Sequence, residues 1–295
     1  MRVAFFRTIG VLILIGVLIE SASGNQFVVF DGTHYADKPD LTKEGLQPIN
    51  IPDTATLWGD RVQMLFDLPS QAHINWLSRK LYATGNPTVV DIEHWEIREP
   101  HAKGRSAENI SKYLTILQWF HMAEPKLLLG YYALPPVSDY WRAIKNPSST
   151  DFLAWQKEND SLKIVVNEAN MLFPSLYTYY KDRDGWVKYA VAQINEARRC
   201  DNNKPVYVFL WPQYHDSSRY SSQYIEPDYW RLELETARKH ADGIVIWGGT
   251  DLKNKKIMKW DDQAPWWIET KKFINTIKEG TLSAPVSIRV IETSK

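Results

Sequence analysis

Short apolar runs alternate along the chain with longer segments that repeat hydrophobic residues at helical spacing. Each apolar run holds four to seven residues, which is the length and composition expected of a strand buried on both faces of a parallel sheet. The predicted strands are Phe27 to Phe30, Thr88 to Ile92, Lys126 to Tyr131, Met171 to Tyr177, Pro205 to Trp211 and Gly243 to Trp247. The predicted helices are Gln71 to Tyr82, Ser106 to His121, Asp151 to Val166, Gly185 to Arg199 and Asp228 to Ala241.

This alternation predicts an α/β fold. Its long, regular succession favours a single closed (β/α) barrel of the TIM type, with seven or eight strands, over an open doubly wound sheet. No Gly-rich phosphate loop follows any predicted strand, which argues against a nucleotide-binding α/β protein.

Two stretches of the chain are less regular. Residues Ala36 to Gln63 are rich in Pro, Asp and Thr, and they could carry a further strand or form a surface excursion. Residues Trp211 to Pro227 directly follow a predicted strand. In a barrel, the end of a strand lies on the functional rim.

The first 23 residues have a pattern of their own. Two arginines precede an apolar run from Ile9 to Ile19, and Ser21 to Ser23 supply small residues for cleavage. This pattern predicts a secretory signal peptide over residues 1–23, followed by one domain over residues 24–295. We expect a secreted protein, extracellular or periplasmic, that has no membrane attachment once the signal is cleaved, because the apolar run is shorter than the roughly 20 residues that span a bilayer. An uncleaved anchor is the alternative.

Composition narrows the function. Lys plus Arg equals Asp plus Glu at 35 each, so no overall positive field exists to bind nucleic acid. The 13 Trp and 15 Tyr exceed the usual needs of a core and suit the binding of planar apolar faces such as those of sugars.

A single cysteine, Cys200, excludes an internal disulfide. The seven histidines show no paired-ligand spacing, so we expect neither a metal nor a cofactor.

Asp91 and Glu93 follow the very apolar strand Thr88-Val89-Val90, at the end where a barrel places its active site. Two residues apart, they point to the same side of the strand. Two close carboxylates cannot both ionise cheaply, so one keeps a proton and can act as a proton donor. The alternative is an acid pair at a strand end that only caps a helix or forms ion pairs with Lys and Arg, because its sequence pattern would be the same.

Aromatic residues at other strand ends favour the catalytic interpretation. They are Trp95, Tyr131, Tyr132, Tyr177, Trp211 and Trp247. Aromatic rings that converge on an acid pair suggest a sugar-binding site. Packing inside the barrel is the alternative for some of these rings.

Five segments, in the same order along the chain, resemble the hyaluronidases of animal venoms and tissues. Val89 to Trp95 looks like that family's strand ending in Asp-x-Glu-x-Trp. The other four segments are Gly130 to Pro135, similar to Gly-Tyr-Tyr-x-x-Pro; Pro174 to Tyr177, similar to Pro-Ser-x-Tyr; Pro205 to Trp211, similar to the next aromatic strand; and Gly243 to Gly248, similar to Gly-x-x-x-Trp-Gly. The chain departs from the animal enzymes in lacking internal disulfides and in a shorter stretch between Glu93 and Gly130.

The resemblance implies roles for individual residues. Glu93 takes the part of the general acid. Asp91 orients the acetamido group of the substrate, which replaces an enzyme nucleophile in this family. Tyr132 lines the site, Tyr177 hydrogen-bonds the acetamido group and Trp247 walls its pocket. Trp211 stands where a different ring is expected.

The implied activity is retaining hydrolysis of β-linked N-acetylhexosaminides in a glycosaminoglycan-like polysaccharide, hyaluronan or a related polymer. The expected partner is a polysaccharide or oligosaccharide. Two alternatives remain open: a catalytically silent glycan-binding barrel, and a barrel glycosidase acting on another polysaccharide through a conventional carboxylate pair. In the second alternative, the candidate partners of Glu93 are Glu96, Asp139, Glu168 and Asp216.

Overall fold

A computed structural model describes residues 27–59, 67–99, 101–252 and 254–282 of the chain. The signal peptide predicted over residues 1–23 lies outside the described residues. Among those that are described, no helix is both long and apolar enough to cross a membrane.

Seven parallel segments close into a barrel. Six of them contain the strands β1 (Val28–Thr33), β2 (Gln47–Pro48), β3 (Thr88–Val90), β4 (Leu129–Tyr131), β5 (Tyr207–Leu210) and β6 (Gly243–Gly248). Four strands pair in the order β2-β1-β6-β5, and β3 pairs with β4. Single bridges complete the ring: Asn50 to Thr88, Tyr132 to Phe173, Leu172 to Val206 and Ser175 to Phe209. The structure thus confirms the predicted (β/α) barrel, with seven segments.

The seventh segment, predicted as a strand from Met171 to Tyr177, pairs only at isolated points. Pro174 has no N–H to donate to a ladder, although its carbonyl accepts from Phe209 N at 2.8 Å. The N–H groups of Leu172 and Leu176 donate to the backbone of the 205–209 segment at 3.0 Å each. The segment therefore holds its place in the barrel without a continuous ladder.

Nine helices occur in the described ranges, most of them around the barrel. They are α1 (Thr54–Trp58), α2 (Gln71–Tyr82), α3 (Ser106–Ala123), α4 (Tyr140–Ala143), α5 (Thr150–Ser161), α6 (Lys163–Glu168), α7 (Arg183–Cys200), α8 (Pro227–His240) and α9 (Pro265–Leu282). The helix predicted from Asp151 to Val166 is two helices, α5 and α6, which meet at Leu162. Helix α9 was not predicted, although its buried residues Trp266, Trp267, Phe273, Ile274 and Ile277 recur at helical spacing.

The irregular stretch after β1 does carry a further strand. It contains a 3-10 helix (Leu41–Glu44), β2 and α1. After β6, a small antiparallel hairpin of β7 (Thr250–Asp251) and β8 (Lys256–Ile257) leaves the barrel.

Two groups of buried side chains form the core. The smaller group fills the barrel interior with Phe30, Val89, Phe173, Phe209 and Val245, together with the site rings Tyr177 and Trp211. The larger group lies mainly between the barrel and its helices. Tyr177 and Trp211 belong to this interior group and also lie at the rim of the barrel. The packing inside the barrel therefore fixes the position of these two rings.

Candidate active site

The segment that carries the acid pair leaves the sheet directly after β3 and is held by α3. The Tyr113 hydroxyl lies 3.1 Å from the carbonyl oxygens of both Ile92 and Trp95. Asn109, also on α3, donates to the Glu96 carbonyl at 2.7 Å. These hydrogen bonds hold the backbone on both sides of Glu93, so the backbone at Glu93 is fixed before any ligand binds.

Asp91 and Glu93 interact electrostatically. Burial, followed by the charges of Glu93 and Asp53, raises the pKa of Asp91 to about 7. Asp91 Oδ1 is buried and accepts no hydrogen bond from the described residues, which leaves it available to a ligand. Glu93 is more open to solvent. The pKa of Glu93 is raised as well, first because neighbouring protein groups displace water from its carboxyl group and then by the charge of Asp216. The pair therefore retains a proton at a pH where free carboxylates are ionised.

His215 and Asp216 bring a second polar pair to Glu93 from the loop after β5. His215 Nδ1 lies 2.9 Å from Asp216 Oδ1. Burial lowers the pKa of His215, although the Asp216 charge opposes this, so the imidazole is neutral at neutral pH. A neutral imidazole leaves the Asp216 charge uncompensated, and that charge acts on Glu93. The sequence analysis named Asp216 only as a conventional partner of Glu93 and did not identify His215.

A buried acid supports this part of the site from behind. Glu233 on α8 is fully buried, and burial raises its pKa well above the usual range. Its Oε1 accepts from Thr178 Oγ1 at 2.5 Å, and the Thr178 carbonyl accepts from His215 N at 2.8 Å. Thr178 therefore connects Glu233 on α8 to the His215 loop, a contact that the sequence pattern did not reveal.

Four of the predicted sugar-binding rings meet at the rim. Tyr177 lies at the centre, with its ring centroid 5.8 Å from Tyr132, 5.5 Å from Trp211 and 6.0 Å from Trp247. Trp211 and Trp247 are 4.8 Å apart and nearly perpendicular. The pKa values of the Tyr132 and Tyr177 hydroxyls are raised well above normal, chiefly by burial. Both hydroxyls therefore keep their protons at neutral pH.

The two other predicted rings lie outside this cluster. Tyr131 is buried and its hydroxyl donates to the Tyr113 carbonyl at 2.8 Å, so it supports α3 against β4. Trp95 is also buried, with Trp58 and Tyr113 against its ring at 5.5 and 5.3 Å, and it forms part of the groove floor. Strand-end position alone could not separate rings that face the groove from rings that face a helix.

The groove continues from Glu93 past residues that the sequence analysis did not select. Tyr179, Arg98, Ser138 and Ser175 line it together with His215. Burial, and then the Glu93 charge, raises the pKa of Tyr179 to about 12. Tyr179 lies two residues after Tyr177, and this spacing was the one feature of the sequence that could have indicated Tyr179 as a groove residue.

Three of the four candidate carboxylate partners of Glu93 are bonded to basic side chains. Glu96 contacts Arg98 at 3.0 and 2.8 Å, and Asp139 contacts Arg142 at 2.7 Å. Glu168, at the end of α6, contacts His121 at 2.7 Å. Among the four, Asp216 is the one whose charge acts on Glu93. In the part of the chain that is described, no group of three or more His, Cys, Asp or Glu residues is arranged to hold a metal.

A closed barrel whose carboxyl-end rim carries an acid pair beside aromatic rings is a (β/α) barrel with the kind of site that binds sugars. A family model described as hyaluronidase matches residues 70–264, which is well over half of the chain. The chain therefore belongs to the hyaluronidase family, and the resemblance drawn from the five segments is confirmed.

Similar proteins agree with this assignment. The chain is 25% identical over 190 residues to a hyaluronidase of Polybia paulista, covering 61% of this chain and 65% of that protein. It is 28% identical over 198 residues to a hyaluronidase of Apis mellifera, covering 62% of this chain and 50% of that protein. The chain thus spans about half to two thirds of the length of the curated relatives it matches.

Solved structures show the same fold. Bee venom hyaluronidase superposes with a TM-score of 0.58 at 16% identity, over 86% of this chain and 96% of that one. The bee venom enzyme in complex with a hyaluronic acid tetramer gives 0.54 at 15% identity, over 87% and 96% of the two chains. At this identity, the likeness bears on the fold alone.

Proposed function

We propose that this protein is a secreted glycoside hydrolase that cleaves β-linked N-acetylhexosaminides in a glycosaminoglycan-like polysaccharide, hyaluronan or a related polymer. The observation that carries the proposal is the Asp91 and Glu93 pair after β3, in which both pKa values are raised. The leader pattern of residues 1–23 supports secretion. Family membership supports the choice of an acetamido sugar.

The first step breaks the glycosidic bond. Protonated Glu93 donates its proton to the leaving oxygen while the carbonyl oxygen of the substrate's own acetamido group attacks the anomeric carbon. The C–O bond to the leaving sugar breaks and a cyclic intermediate forms. The substrate supplies the nucleophile, so the spacing of about 5 to 5.5 Å between two enzyme carboxylates in a conventional retaining enzyme is not required.

The second step opens the ring. Glu93, now ionised, takes a proton from water, and the oxygen of that water bonds to the anomeric carbon as the acetamido carbonyl leaves. Two displacements at the same carbon retain its configuration. The raised pKa of Glu93 suits both steps, because one group must be an acid first and a base afterwards.

Asp91 and the rings orient the acetamido group. Asp91 Oδ1 is buried with no partner among the described residues, so it can accept the acetamido N–H and stabilise the positive charge that develops on the group. The Tyr177 hydroxyl can donate to the acetamido oxygen, and Trp247 offers an apolar wall to its methyl group. The contact of Asp91 with the acetamido N–H strengthens as positive charge develops on the group, and this lowers the barrier.

Reducing-end release on a panel of polysaccharides tests the proposal. Hyaluronan, chondroitin and chitin oligomers carry acetamido sugars, and a glucan without acetamido groups is the negative control. We expect release from acetamido-bearing polymers and none from the glucan, because the nucleophile belongs to the substrate. Cleavage of the glucan would instead support a conventional pair of Glu93 and Asp216, and binding without release would support a silent glycan-binding barrel.

Replacing Asp216 with asparagine should shift the pH profile. The Asp216 charge raises the pKa of Glu93, so its removal lowers that pKa and Glu93 loses its proton at a lower pH. The alkaline limb of kcat/KM is therefore expected to move to lower pH, with most activity kept below it. Rates of reducing-end release measured across the pH range, at constant ionic strength, give the shift.

The matched control is Asp151→Asn, which removes the same charge from an exposed position in the first turn of α5. Its alkaline limb should coincide with that of the wild type, because solvent and salt screen a charge that lies far from the site. An unmoved limb in the Asp216 variant would contradict the electrostatic role. Complete loss of activity at every pH would assign Asp216 a direct part in the chemistry.

A further inference from the structure

Two large aromatic rings remain exposed beside the groove. Trp141, on α4, is 58% exposed, and Tyr180 is 41% exposed. Their ring centroids are 5.5 Å apart, and Tyr140 lies 5.1 and 5.2 Å from the two. We refer to Tyr140, Trp141 and Tyr180 as the aromatic shelf.

The shelf is continuous with the candidate active site. The Tyr180 ring lies 6.3 Å from Tyr179, which in turn lies 4.6 Å from His215. His215 lies 6.0 Å from Tyr177, at the centre of the ring cluster. Tyr179 and His215 also line the groove that contains Glu93. A row of rings therefore leads from the acid pair to the shelf.

The backbone beneath the shelf is anchored before any ligand arrives. Asp139 caps α4 by accepting from Arg142 N at 2.9 Å. The Arg142 guanidinium also bonds both oxygens of Glu158 on α5, at 2.8 and 2.6 Å. Tyr140 packs 5.1 Å from Tyr189 of α7. A preformed platform loses little conformational entropy on binding, which favours affinity.

Trp141 differs from the other strongly exposed tryptophan among the described residues. Trp76 on α2 is 48% exposed, and its ring face is covered by the Lys80 ammonium at 4.2 Å. The contacts of Trp141 are other rings of the shelf, so its apolar surface extends the row towards solvent. An exposed ring in continuity with a groove fits the apolar face of a pyranose.

We propose that Trp141 and Tyr180 form a distal subsite for a pyranose ring of the same glycan chain that is cleaved at Glu93. The identity of the ligand as a glycan rests on the proposed function. The subsite makes long chains better substrates than short ones, because only a long chain reaches the shelf while a linkage lies at Glu93.

The test compares Trp141→Ala with the wild type on high-molecular-mass hyaluronan and on a hyaluronan tetrasaccharide. We expect KM on the polymer to rise about tenfold, the effect of losing one aromatic contact, with kcat unchanged and tetrasaccharide cleavage unaffected. Tyr180→Ala should give a smaller change of the same kind. Trp76→Ala is the matched control, and its kinetics on both substrates should equal those of the wild type.

Direct binding separates this proposal from the proposed function. Affinity electrophoresis of each variant in gels containing hyaluronan or soluble chitin oligomers needs no catalysis. Weakened retention of Trp141→Ala but not of Trp76→Ala would support the subsite even if no glycan is cleaved. Equal retention and equal KM in Trp141→Ala and the wild type would overturn it, as would equal losses on short and long chains or no retention of the wild type in either gel.

Discussion

Replacing Glu93 with glutamine is expected to lower kcat on hyaluronan by about 10²- to 10⁴-fold, the usual contribution of a general acid or base. Glutamine has nearly the same shape as the protonated acid, but it can neither give a proton to the leaving oxygen nor take one from water. Both steps of the mechanism are therefore blocked at the same atom. Initial rates of reducing-end release over a range of substrate concentrations give kcat and KM separately.

KM and direct binding should change little in this variant. Glutamine has the size and the neutral charge of a protonated glutamic acid, so the contacts of this side chain with bound substrate are kept. The matched control is Glu96→Gln, which alters a carboxylate of the same groove that is paired with Arg98. An unchanged rate in the Glu93 variant would remove this residue from the acid role, and equal losses in both variants would indicate a general effect of groove charge.

Truncation of Trp186 to alanine is expected to lower the free energy of unfolding by about 3–5 kcal/mol, the usual cost of deleting a buried large aromatic side chain. Trp186, on α7, is 1% exposed, and its indole N–H donates to the Leu176 carbonyl at 3.0 Å. The variant loses packing between α7 and the barrel and leaves this carbonyl without its donor. Urea unfolding followed by circular dichroism measures the change.

Two further variants separate the contributions of Trp186. Trp186→Phe keeps most of the ring but not the N–H, so it should cost about 1–3 kcal/mol for the buried carbonyl left unpaired. Trp141→Ala removes an equally large but exposed ring and should leave the unfolding free energy nearly unchanged. A loss below about 1 kcal/mol in Trp186→Ala would show that α7 and the 171–177 segment are coupled through other contacts.

Parts of the fold were predictable because they depend on local patterns. Strand and helix periods are set by neighbouring residues, and the helix from Gln71 to Tyr82 was predicted with the bounds that the structure shows. The break at Leu162 was not predicted. The interruption of the seventh barrel segment was missed, although Pro174 lacks the N–H that a continuous ladder requires.

The residues of the candidate site were likewise predictable only in part. Glu93 and Asp91 were identified from the sequence because the end of an apolar strand is a local feature that a barrel turns into a rim. The partner of Glu168 was not predictable, since its ion pair with His121 joins residues far apart in the chain. Strand alternation predicts that Tyr131 and Tyr132 point to opposite faces of β4, and the family resemblance assigned Tyr132 to the site.

The sequence by itself determined the alternation of the main strands and helices, the barrel class and the position of the acid pair that carries the proposed chemistry. The tertiary structure decided what surrounds that pair: the Asp216 charge beside Glu93, the Glu233 contact behind Thr178, and the row of rings that ends at Trp141. The physical reason is distance along the chain. A period or a strand end is encoded within a few residues, whereas burial, charge and ring contacts arise only when the closed barrel brings distant loops to one rim.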